Sequence, residues 1–129
     1  MDIELFREHC LSLPQVTEDF PFDETLLAFR VKNHIFACIG LDHPQLATMK
    51  CDPEYAMELR DHYQAVEPAF HWNKKYWNQV WFDRDADDNM ICGLVNHSYR
   101  EVVKKMPKKE RAELEQAAGN FFTLQSETY

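Results

Sequence analysis

The stretch TLLAFRVKNHIFACIGLDHPQLATMKC, residues 25–51, decides the fold. Residues 25–31 and 34–41 are β-prone runs divided by Lys32 and Asn33, and a two-residue polar break between such runs predicts a hairpin. Residues 45–51 supply a third strand after a turn at Asp42, His43 and Pro44, because an antiparallel meander needs only short connections. Ahead of this core, Asp2 is placed as an N-cap, and Leu5, Phe6, His9, Cys10 and Leu13 recur at helical spacing until Pro14. A polar, proline-containing connection, residues 15–24, joins that helix to the hairpin. Behind the core, Asp52 as N-cap, Pro53 at the first helical position and Glu54 in the first turn predict a short helix.

Residues 66–72 and 76–82 are aromatic and β-branched, and the polar Asn73, Lys74 and Lys75 between them predict a second hairpin. Met90, Ile91, Leu94, Val95, Ser98, Tyr99, Val102, Val103 and Met106 trace the stripe of a long helix. Pro107 breaks it, and residues 108–118 predict a last helix that Gly119 would end. The tail FFTLQSETY has no period and either docks by Phe121 and Phe122 or stays mobile. Runs of strands interleaved with covering helices make an α+β pattern, an open two-layer sandwich with an antiparallel meander sheet and flanking helices.

Length and composition fit one domain: 129 residues, 45% hydrophobic and 13% aromatic, with only 3 glycines. The 14 basic and 22 acidic side chains leave a net charge of −8, which excludes a protein coated in positive charge but not a local basic face. The opening MDIELFREH is not the basic region and apolar run of a secretory signal, and no apolar stretch approaches the roughly 18 residues of a membrane span. A cytoplasmic monomer without membrane association is therefore expected. Cys10, Cys38, Cys51 and Cys92 are widely spaced and form no CxxC pair, so buried free thiols are expected. No GxSxG elbow, HExxH, P-loop or GxGxxG is present, and the expectation is a binding domain without cofactor or resident metal.

Five long motifs, in order, carry a resemblance: LSLPQVTEDFPF, IFACIGLD, KCDPE, AFHWNKKYWNQV and HSYREVVKKMPKKERAEL. Together they are similar to the MmcQ/YjbR family across residues 1–114. The resemblance implies a CyaY-like (frataxin-like) fold, with a domain over residues 1–115 and a partly mobile C-terminal extension over 116–129. It also implies a DNA-binding role, since members of that family have been proposed to bind DNA through a paired-hairpin, double-wing surface. Fold alone does not carry that role, so it must be argued from residues.

The richest segment is HWNKKYWNQVW, residues 71–81. A turn presenting Lys74 and Lys75 beside Trp72, Trp77, Asn73 and His71 could set ammonium groups on phosphates, stack an indole on a base and offer polar contacts. The competing reading has the tryptophans packing the sheet and the lysines solvating a turn. Residues 100–111 carry six cations against two acids, so Lys104, Lys105 and Lys108 are candidate auxiliary phosphate contacts, while a solvated helix end whose cations favour the C-terminal dipole accounts for Lys104 and Lys105 equally well. The first 27 residues carry seven acids against Arg7. A frataxin-like alternative places iron at that acidic pole, on Glu4, Glu8, Asp19, Asp23 and Glu24, because hard oxygen ligands suit such cations. A further alternative is a drug or metabolite pocket joining Lys50, Asn73 and Trp77.

Overall fold

The computed structural model describes residues 1–118. Ten elements follow in chain order: α1 Ile3–Ser12, β1 Val16–Asp19, β2 Leu26–Val31, β3 His34–Gly40, β4 His43–Lys50, α2 Pro53–His62, β5 Val66–Pro68, β6 Trp77–Trp81, α3 Asp88–Lys104 and α4 Lys108–Ala118. The six strands form one antiparallel sheet in the order β1-β2-β3-β4-β6-β5. This is the expected α+β class. Both alternatives for the tail, docking by Phe121 and Phe122 or mobility, concern residues outside those described, as does the helix end at Gly119.

The β2–β3 hairpin turns on Lys32 and Asn33, which both take positive φ, 48° and 70°, as a two-residue hairpin turn of matching twist requires. The next connection is tighter than the proline suggested. It consists of Leu41 and Asp42 alone, and β4 already begins at His43. Pro44 is tolerated because it lies beyond the β4–β6 ladder, which starts at Leu46, so its missing N–H breaks no bond there. β1 replaces what reads as a polar connection. It is an edge strand of four residues with half-exposed and exposed side chains alternating, too short and too polar to show a period. Ion pairs hold it: Glu18 accepts from Arg7 of α1, and Asp19 accepts from Arg30 of β2 at 2.8 Å.

The second hairpin keeps three residues, Val66–Pro68, on its first strand, Pro68 being tolerated on an edge, and one more backbone bond runs from Ala69 N–H to the Trp77 carbonyl at 3.1 Å. β6 inserts between β4 and β5, so the simple meander holds only from β1 to β4.

Helices α1, α2 and α3 each begin on a side-chain cap. Asp2, Asp52 and Asp87 each accept a backbone N–H three residues on, at 2.8 to 3.1 Å. The core lies between the sheet and the helices. Phe29, Phe36, Ile39, Met49 and Val80 from the strands meet Phe6, Ile91, Val95, Tyr99 and Val103 from α1 and α3. Tyr99 is the largest fully buried side chain; its ring sits edge-on to Phe36 and its hydroxyl donates to the Pro14 carbonyl at 2.7 Å. Tyr99→Phe withdraws that donor while keeping the ring, and an equilibrium urea titration should register a loss of about 1 kcal/mol.

Cys10, Cys38 and Cys51 are buried free thiols and Cys92 is half-buried. Burial pushes the Cys38 and Cys51 thiols up to about 12, which leaves them unreactive. No helix among the described residues is long and apolar enough to cross a membrane.

Candidate functional site

Alternation separates Lys50, Trp77 and Trp81 from Ala47, Met49, Val80 and Phe82 of the core, and at the end of the β4–β6 ladder Lys50 and Trp77 border Val102, Lys105 and Met106 at the C-terminal end of α3. Lys50 and Trp77 are register partners at one end of the β4–β6 ladder, and the Lys50 ammonium lies 5.5 Å from the Trp77 ring centre. Trp72 packs against Trp77 with ring centres 4.5 Å apart. Trp77 is thereby left 9% exposed, so its indole is a wall of the site rather than a free platform for a base. Trp72 is half-buried and His71 is exposed beside it.

The lysine turn is held by groups that local sequence does not advertise. Asn73 is consumed by the turn: its side-chain oxygen accepts from Lys75 N–H at 3.0 Å, and its carbonyl accepts from Tyr76 N–H. From α2, Arg60 donates to the Asn78 side-chain oxygen at 2.7 Å, to the Trp77 carbonyl at 3.4 Å and to the Lys74 carbonyl. The turn then presents Lys74 above the ring of Phe70, at 5.4 Å, and Lys75 above Tyr76, at 5.4 Å.

Lys105, at the C-terminal cap of α3, also lies over Tyr76, its ammonium 4.6 Å from the ring centre. The turn and the basic end of the long helix therefore share one face, with Tyr76 between them. Lys104 points into a different partnership, an ion pair with the buried Glu101 at 2.8 Å. Lys108 is exposed at the first position of α4.

Lys50 faces the same region. Its burial and the nearby charge of Lys105 both press its ammonium below the ordinary lysine range, with Glu101 opposing them. A groove of about 360 Å³ opens here, lined among others by Ile35, Lys50, Trp77, Val102, Lys105 and Met106. Of the three residues expected to share a pocket, Lys50 and Trp77 line this groove and Asn73 does not. Arg60, Tyr76 and the groove floor are missing from the sequence reading; an aromatic directly after a double lysine was the only local signal for any of them.

The acidic pole is organised differently from a metal site. Asp23 accepts from the backbone N–H groups of Thr25 and Leu26 and from the Thr25 hydroxyl, and these bonds hold its carboxyl below the usual range. Asp19 and Glu18 are engaged by arginines, while Glu4, Glu8 and Glu24 are exposed. Among the described residues no three His, Cys, Asp or Glu side chains gather as metal ligands.

Comparison with known proteins adds a family to this geometry. The uncharacterized protein YjbR of Escherichia coli K12 is 28% identical over 112 residues, which are 86% of this chain and 95% of that protein. The uncharacterized protein YbdF of Escherichia coli O157:H7 is 26% identical over 109 residues, 84% of this chain and 89% of its own length. Among solved structures, the Deinococcus radiodurans protein DR2400 superposes with a TM-score of 0.78 at 36% identity, covering 84% of this chain and 83% of that one. A Pseudomonas syringae protein shares the fold at a TM-score of 0.66 and 21% identity, over 78% of this chain and 98% of its own. The family model described as YjbR matches residues 11–101, and with that match the chain belongs to the YjbR family.

Proposed function

We propose that the face carrying Lys74, Lys75 and Lys105 binds single-stranded nucleic acid. The observation that carries this reading is the convergence of Lys75 and Lys105 on the Tyr76 ring from segments thirty residues apart in the chain. A half-exposed Tyr76, a half-buried Trp72 and Phe70, which is 59% exposed, interleave with the ammonium groups. Cations spaced among accessible rings suit a strand whose phosphates are neutralised while its bases stack. The aromatic work passes from Trp77 to its exposed neighbours. The net charge of −8 repels a polyanion at long range, so association is slow and the affinity modest.

Three phosphate contacts on a single strand give a salt dependence of log K with a slope of about −2. Fluorescence titration of an oligothymidylate, read through the tryptophans, should show this slope. Lys75→Ala with Lys105→Ala should flatten it by about 1.4 and weaken binding roughly tenfold at about 50 mM salt. An absence of binding at low salt, or a slope untouched by the double substitution, would overturn the reading.

A further inference from the structure

The groove beside the lysine face has a composition that the strand-binding reading leaves unused. Its apolar lining is the half-buried Ile35 together with the edges of Val102, Met106 and the Trp77 indole, which are otherwise buried. Two ammonium groups stand on it, Lys50 and Lys105, close enough that the charge of one disfavours the charge of the other. Among the described residues neither has a carboxylate at salt-bridge distance, because Glu101 is taken by Lys104 and the groove's other cation, Arg30, is tied to Asp19. His34 at the rim faces Glu110 at 3.8 Å. Two like charges held together over an apolar floor are a cost in the free protein that a bound anion would remove.

The occupant that satisfies both halves is amphipathic: a flat apolar body carrying a compact dianion. We infer that the groove is a subsite for a single phosphorylated nucleotide, with the phosphate between Lys50 and Lys105 and the base on Ile35, Val102 and Met106 against Trp77. Its volume of about 360 Å³ falls at the lower end of small-ligand sites, where a mononucleotide rather than a dinucleotide belongs. This deepens the strand-binding reading and rests on the same face. It adds a place for a terminal or free nucleotide that Lys74 and Lys75 do not reach.

The test is an NMR titration of the full chain with adenosine monophosphate, adenosine and inorganic phosphate. The monophosphate should bind in the range of about 1 mM or tighter, with adenosine and phosphate each at least about tenfold weaker, since each supplies half of the contacts. Shifts should centre on Ile35, Lys50, Val102 and Lys105. Lys105→Ala, a change at an exposed position, should weaken the monophosphate about fivefold, and Lys50→Met with Lys105→Ala at least about tenfold, while Lys74→Ala with Lys75→Ala leaves it unchanged. Monophosphate binding no tighter than adenosine, or insensitivity to both Lys105→Ala and the Lys50 double variant, would overturn the subsite. If oligothymidylate binds and the monophosphate does not, the subsite falls and the strand-binding surface stands. If the monophosphate binds with the stated pattern and oligonucleotides bind no tighter than it does, the surface falls and the subsite stands.

Discussion

Arg60→Ala should destabilise the protein by about 3 kcal/mol and unfix the lysine turn, although Arg60 lies on α2 and meets that turn through the backbone carbonyls and the Asn78 side chain. Three acceptors depend on its guanidinium: the Asn78 side-chain oxygen, the Trp77 carbonyl and the Lys74 carbonyl. Asn78 is 2% exposed, so removing the donor leaves a buried carboxamide oxygen with nothing to accept from, in addition to the charge-assisted bonds that are lost. The Asn78 side-chain nitrogen already has no hydrogen-bond partner, and the residue has no reserve. Arg60→Lys can satisfy one acceptor at a time, because an ammonium lacks the planar fork, and should recover about half of the loss. Urea titration gives the stability. The tryptophan emission gives the turn: over the contribution of Trp81, which is bonded to Glu67, the part from Trp72 and Trp77 should shift toward that of solvated indole at urea concentrations where the fold is intact. Unchanged stability with an unchanged spectrum would show that the turn holds itself.

Why Arg60 escaped the sequence reading is a matter of distance along the chain. Its bonds span 14 to 18 residues and join a helix to a turn through a side chain that looks like any solvated arginine on an amphipathic helix. The same reason hid the β4–β6 pairing. Residues 25–51 declare their hairpins through alternation and a local turn, but nothing local says that Trp77 lies opposite Lys50. The meeting of Lys75 and Lys105 at Tyr76 follows from that pairing and from the length of α3, so the charge clusters were legible and their adjacency was not. β1 failed for a different reason. It is placed by an edge ladder, by Val16 against the core and by two exposed ion pairs, and a single apolar contact leaves no period. Trp77 was legible as a residue of importance, yet only Trp72 at 4.5 Å decides that it is a wall. Ser98, read from its place on the apolar stripe, does sit in the core as a bonded hydroxyl.

Acidification from pH 7 to about 5 should cost the protein about 2 kcal/mol, rising toward about 3 near pH 4, and His97 should account for the early part of that loss. The ring is 3% exposed, packed edge-on against Tyr55 at 4.9 Å, and its Nε2 accepts from the Asp52 backbone N–H at 3.0 Å. An acceptor nitrogen cannot also hold a proton, so the folded protein requires the neutral ring. Burial is the dominant cause that lowers its pKa from 6.5 to about 4; Glu101 and Asp52 pull the other way, and Lys104 and Arg100 reinforce the lowering. Between about pH 6.5 and 4 the unfolded chain therefore binds a proton that the folded one refuses, so stability falls as pH falls through this window and is fully present above it. The carboxylates held low by hydrogen bonds, Asp23, Glu67 and Asp85, lose their contributions as pH falls through the ordinary carboxylate range, so the interval from pH 6.5 to 5 isolates the histidine. The consequence reaches the site. His97 holds the Asp52 amide and Ser98 holds the Lys50 carbonyl, so consecutive residues of α3 pin both ends of the segment that presents Lys50. Urea titrations at pH 7, 6 and 5 should show the fall in the native sequence and a flat line for His97→Gln, whose amide carries no titrating proton. The same slope in both proteins would assign the acid sensitivity elsewhere, and with it the pinning of Lys50 would lose its pH dependence.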